Sequence, residues 1–174
     1  MPKKFIAILT ICLLVLGANI LSVVQAADTG TVTATVMVQN VALTVSDGSI
    51  AYGTLVAGGT KDTTASGVND SQTATNTGNV AEDFNIKGAD VSTGCTWTLA
   101  ATQGSEQYFH KFCNNGNCDS SPTWTALTTN YTTLATNKSP SGTQEFDLQI
   151  GVPSSTSCTS QATVEVTVQA VAHS

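Results

Sequence analysis

Five cysteines and two histidines carry the most readily named chemistry in this chain. Cys12 lies in an apolar stretch near the amino terminus, which leaves Cys95, Cys113, Cys118 and Cys158 for the body of the protein. An even set of thiols in an exported chain pairs most simply into disulfides. Three pairings are open. A Cys113–Cys118 bridge would close the turn-forming loop Asn114-Asn115-Gly116-Asn117, and Cys95–Cys158 would then tie distant segments. Cys95–Cys113 with Cys118–Cys158 is the alternative. In a reducing compartment His110, Cys113, Cys118 and Asp119 would instead carry the donor types of a zinc site. The export signal described below favours the disulfides.

Catalysis finds few residues to use. A nucleophile–base arrangement would have to recruit His110, because the other histidine, His173, is the penultimate residue, and no Gly-x-Ser-x-Gly elbow is present. His110 alternates with Tyr108 and Phe112, which reads as a strand. Glycoside hydrolysis needs two carboxylates across a cleft. Glu82, Asp83, Asp90, Glu106, Glu145 and Asp147 are available, but no spacing pairs them. The chain is therefore expected not to be an enzyme, with a secreted hydrolase as the residual alternative. No cofactor is expected; calcium is the metal that the oxygen-rich turns 114–119 and Asn69-Asp70-Ser71 would suit.

Aromatic residues make up only 6% of the chain, so each one counts. Trp97, two residues from Cys95, is expected in the core beside a bridge. Trp124, Tyr131 and Phe109 are harder to bury by parity. Exposed together, they would form a stacking platform for sugar rings; otherwise they cover one end of the domain as a minor core.

Composition removes whole classes. Charged residues are 10%, all six cations are lysine, and the net charge is -6. A chain with no arginine and twelve acids has no footprint for phosphate, so nucleic acid is not an expected partner. With 29 Thr and 16 Ser, the surface is hydroxyl-rich rather than charge-laced, while 41% apolar residues suffice for a core.

Residues 1–26 read as an address. Lys3 and Lys4 precede an apolar run from Phe5 to about Leu21, and Val24-Gln25-Ala26 fits cleavage before Ala27. A retained membrane anchor is the competing reading. Residues 27–174 then form a single domain of 148 residues in which four lysines meet twelve acids, a net charge of -8. No second apolar span follows, so no membrane span is expected after cleavage.

The elements that must position these residues are strands. No segment keeps a helical period over ten residues, and strand signals recur every eight to twelve residues between Gly, Asn, Ser and Pro clusters. Val32, Ala34, Val36 and Val38 alternate with Thr31, Thr33, Thr35 and Met37. The parity slips at Gln39-Asn40, because Val41, Leu43 and Val45 are odd-numbered. Further strands are expected over Ile50–Tyr52, Thr73–Asn76, Val80–Ile86, Thr96–Ala100, Gln107–Phe112, Trp124–Leu127, Tyr131–Leu134, Glu145–Ile150 and Gln161–Ala172. In the last, Val164, Val166, Val168 and Ala170 should point inward.

The stretch Thr73-Ala74-Thr75-Asn76-Thr77-Gly78-Asn79-Val80, then Phe84-Asn85-Ile86 and Trp97-Thr98-Leu99, resembles the central hairpin of bacterial extracellular immunoglobulin-like domains. More remotely, Tyr52-Gly53 with Trp97-Thr98-Leu99 resembles the Trp-x-Leu cell-wall surface domains, whose second such element has only Trp124-Thr125-Ala126-Leu127 as a counterpart here. The resemblance implies an adhesion or spacer module at a cell surface.

The fold expected is all-β: a single immunoglobulin-like antiparallel β-sandwich of about 7–10 strands, braced by disulfides. The expected function is that of a secreted, non-enzymatic structural or adhesive protein of the cell surface, with a carbohydrate-binding module as the alternative. Its expected partners are copies of itself or other surface proteins, and in the alternative glycans. Thr31, Val32, Ala34, Val36 and Val38 form a segment without charge or proline that could complete a neighbour's sheet, with Gln39-Asn40 as hinge. The competing expectation is that this strand stays in its own sandwich.

Overall fold

Alternating apolar and polar residues with no helical period should give strands alone. The computed structural model describes residues 29–174, and these contain ten strands and no helix. The expected export signal, residues 1–26, lies outside the described residues. Residues 38–174 form one compact unit. Its strands are β1 (Leu43–Val45), β2 (Thr60–Asp62), β3 (Gln72–Asn76), β4 (Glu82–Gly88), β5 (Thr98–Leu99), β6 (Gln107–Cys113), β7 (Thr125–Ala126), β8 (Thr132–Lys138), β9 (Thr143–Gly151) and β10 (Val166–Ala172).

The strands form two sheets in a sandwich-like arrangement. The larger runs β1-β3-β9-β6-β5, with β2 pairing the end of β9 and β7 pairing β6. The smaller is β10-β4-β8. One pair departs from the expected antiparallel pattern: β5 runs parallel to β6, through the two registers Thr98↔Gln107 and Leu99↔Tyr108. Parallel neighbours ordinarily need a long crossover. A ladder of two residues tolerates a seven-residue connection.

Parity places the core as the alternation requires. Phe84 and Ile86 of the smaller sheet meet Ala74, Phe112, Phe146 and Leu148 of the larger one, with Leu127 and Leu134 completing the cluster. A second cluster gathers Val91, Cys95, Trp97, Tyr108 and Ile150. Trp97 is 9% exposed, its indole N–H donates to Thr156 Oγ1 at 3.1 Å, and its ring tilts against Tyr108. The expected core role of Trp97 holds.

Three expected elements differ. Residues 76–79 do not close a hairpin: β3 belongs to the larger sheet and β4 to the smaller. The turn is a crossing between sheets. Asn76 Oδ1 accepts the Gly78 N–H, while its amide donates to the carbonyls of Val80 and Lys138. Ile50–Tyr52 is not a strand, because the Tyr52 side chain turns in to His110. Residues 31–38 form no strand either. At the start of the compact unit, Asn79 holds the next residues: its amide donates to Val38 O, and its Oδ1 accepts from Asn40 N. Glu82, fully buried, accepts from Ala42 N at 2.9 Å.

Candidate functional site

The last strand alternates apolar and polar residues over residues 166–170, a pattern that over residues 146–150 of β9 goes with burial. β10 pairs β4 through seven consecutive registers, from Val166↔Gly88 to Ala172↔Glu82. Its other edge has no ladder partner among the described residues. Not one of its residues is fully buried. The opposite wall behaves alike. β1 is the edge of the larger sheet, and Leu43, Val45 and Ile50 pack on the main core while staying half-buried, as do Val166, Val168 and Ala170. Apolar side chains aligned along two sheet edges and only partly covered mark a seam in the core.

A cavity of about 180 Å³ lies along that seam. Val45 and Ile50 line it from the β1 side, Val164, Val166 and Val168 from the β10 side, and Phe146, Leu148 and His110 between them. Four polar side chains, Ser49, Tyr52, Gln72 and His110, interrupt this apolar lining. The Tyr52 hydroxyl lies 2.9 Å from His110 Nε2, with the rings edge-on. Burial pushes His110 down to about 4. Tyr52 is raised, first by burial and then by the negative charges of Asp62, Asp70 and Asp147. Both groups are therefore neutral near pH 7. His110 Nδ1 is buried without a hydrogen-bond partner among the described residues. Among the described residues the Tyr52 hydroxyl is bonded to this imidazole and no serine or threonine hydroxyl, thiol or carboxylate is, so the arrangement offers a largely apolar slot with a few hydrogen-bonding side chains.

On the outer face of the same sheet, buried Asp147 accepts from the Thr63 and Ser71 hydroxyls, each at 2.7 Å, and Thr63 Oγ1 accepts from Leu148 N at 2.9 Å. These bonds pin the connection between β2 and β3. Asp119, next to the small disulfide loop, reaches the same connection by accepting from Ala65 N.

Residues 29–37 are described apart from the compact unit. They form no strand, and Val32 and Val36 are 92% and 94% exposed, while Val38 at the border is 80% exposed. From Thr29 to Ser46 the chain carries no charge.

The four cysteines pair as Cys95–Cys158 and Cys113–Cys118. This takes the thiols of the zinc alternative, and His110 points to Tyr52 instead. The aromatic platform does not assemble. Phe109 is 6% exposed, seated where a Cβ at Gly151 would collide with its ring, and Lys111 Nζ stands 4.2 Å above it. Tyr131 is 40% exposed, but Lys87 Nζ lies 4.7 Å over its ring. Trp124 is half-buried. Phe109 belongs to neither core cluster, and the missing side chain of Gly151 leaves the room its ring occupies. In the turn considered for calcium, Asn115 Oδ1 accepts from Asn117 N. Among the described residues no cluster of three or more His, Cys, Asp or Glu is placed to hold a metal ion.

Sequence reasoning oriented Val164, Val166 and Val168 but missed the seam. Tyr52 and Ile50 reach it from an irregular segment, which no periodicity marks. No known protein family, curated protein or solved structure matches the chain.

Proposed function

We propose that this is an exported, non-enzymatic structural or adhesive β-sandwich protein of the cell surface, which associates with copies of itself through its amino-terminal segment. One observation carries the reading. Residues 31–38 have strand-forming residues in strict alternation, yet they form no strand and leave Val32, Val36 and Val38 exposed to solvent. An uncharged, β-branched segment in that condition is a strand in want of a sheet. The two disulfides fit an oxidising compartment, and no helix among the described residues is long and apolar enough to cross a membrane. The hydroxyl-rich, weakly charged surface suits a scaffold more than a site of charge chemistry. Buried Phe109 and the lysines over Phe109 and Tyr131 give the carbohydrate-binding alternative no open ring platform.

Light scattering and electron microscopy of the exported chain across a concentration series test the proposal. Filaments or a lattice are expected. A strict monomer at every concentration, in the presence of the intact segment, would overturn it.

A further inference from the structure

We infer that the seam between β1 and β10 is an acceptor groove, and that its occupant is residues 31–38 of a second copy of this chain, added as a strand along the free edge of β10. This rests on the self-association reading above and names the surface that would serve it.

The edges of the two sheets narrow the choice. β5 and β7 are two residues long, and β1 and β2 are three. β8 ends in Lys138 and pairs β4 through a ladder with two register shifts. Among the described residues β10 alone is a long edge with unbroken register, and Val166–Ala172 contains no charge and no proline. Native sheets block such edges with charge, proline, bulges or brevity. β10 has none of these, and its inward side chains remain half-buried beside a cavity. The segment matches it. Residues 31–38 span eight positions against seven in β10, and both are uncharged. In an extended strand Val32, Ala34, Val36 and Val38 fall on one face, as insertion between the sheets requires, and Thr31, Thr33, Thr35 and Met37 fall on the other.

The segment is not committed to the neighbouring β1 edge of its own chain. Folding 31–38 back beside β1 needs a tight hairpin at Gln39-Asn40, and the favoured two-residue turns need positive φ there. Neither residue has it. The Asn79 side chain instead holds the backbone at Val38 and Asn40. Donor and acceptor are different surfaces, so the contact is head-to-tail, and it propagates into an open filament unless the rotation between copies closes a ring.

Two full-length variants test the groove. The donor variant carries Val32→Asp and Val36→Asp, both at exposed positions; the acceptor variant carries Val166→Asp. Circular dichroism checks the fold of each. The wild-type chain should assemble, each variant alone should stay monomeric, and their mixture should stop at a 1:1 complex. In that complex the β10 amides from Val166 to Val171 that face away from β4 should exchange at least tenfold more slowly. If Val166→Asp fails to fold, a synthetic peptide of residues 29–39 added to the donor variant should produce the same protection and raise its Tm. Assembly of wild type with no β10 protection in either arm overturns the groove while leaving self-association standing. A monomeric wild type with no peptide binding overturns both. A monomer whose β10 amides are already protected, and lose protection in the donor variant, shows that the segment fills its own groove and overturns exchange between copies.

Discussion

The Tyr52 hydroxyl meets Nε2 of His110 at 2.9 Å, in a part of the sandwich where the imidazole is 2% exposed and its other nitrogen has no partner among the described residues. Such a ring is costly to protonate. Its folded value, about 4, lies below the ordinary 6.5, so between those values the unfolded chain binds a proton that the folded chain refuses. The contribution of His110 to stability is full above pH 6.5 and falls as pH drops toward 4. At ~1.36 kcal/mol per pH unit, the loss is about 3 kcal/mol across that window. Urea midpoints measured from pH 7 to 4 should show it. His110→Phe should flatten this part of the profile, whatever its offset; an unchanged slope in the variant would assign the pH dependence to other groups.

The two disulfides should differ in worth. Cys95–Cys158 closes a separation of 63 residues and Cys113–Cys118 one of 5. In the chain-entropy picture, losing them costs about 4 and about 2 kcal/mol respectively. Paired Cys→Ala variants compared by chemical denaturation should keep that order. Non-reducing peptide mapping of the wild type should find none of these four thiols alkylated.

Trp97→Ala should cost about 3–5 kcal/mol, because it empties the centre of the second cluster and strips Thr156 Oγ1 of the indole donor. A variant that keeps its unfolding midpoint would show that the indole does not fill that core.

Thr63 both donates to Asp147 and accepts from Leu148 N. Thr63→Val therefore leaves a buried N–H without its acceptor and a buried carboxylate short of a donor, at about 1–3 kcal/mol. Ser71→Ala, at an exposed residue that gives Asp147 its other hydroxyl, should cost clearly less. Equal effects from the two changes would contradict this division of labour.

Most of the fold was legible because alternation survives wherever one face of a strand is buried. Phe84 with Ile86, Tyr108 with Phe112, and Phe146 with Leu148 all lie on the side their parity assigns. β2 was invisible: Thr60-Lys61-Asp62 has no apolar residue, and its pairing with Gln149–Gly151 of β9 is a backbone matter. Asn76–Asn79 reads locally as any Asn-Gly turn. Whether the next strand returns to the same sheet depends on where Phe84 and Ile86 find their neighbours, which is non-local. The segment 31–38 shows the reverse limit, since a strong strand pattern cannot supply a partner. The seam stayed hidden for a related reason: Val45, Ile50 and Val166 are far apart in sequence, and only the packing reveals that they are left uncovered together.

The Cys95–Cys158 bond has a mechanical side. Between its ends lie β5 to β9, the whole of the chain from Thr98 to Gly151 that forms strands. If the protein is stretched between Val38 and Ser174, tension passes across the sulfur–sulfur link and bypasses everything inside it. The excluded 63-residue separation corresponds to roughly 210 Å of extended chain. Unravelling can lengthen the molecule only through β1 to β4 and β10, so an oxidised molecule is short-tethered under load, and a reduced one yields over a far greater distance.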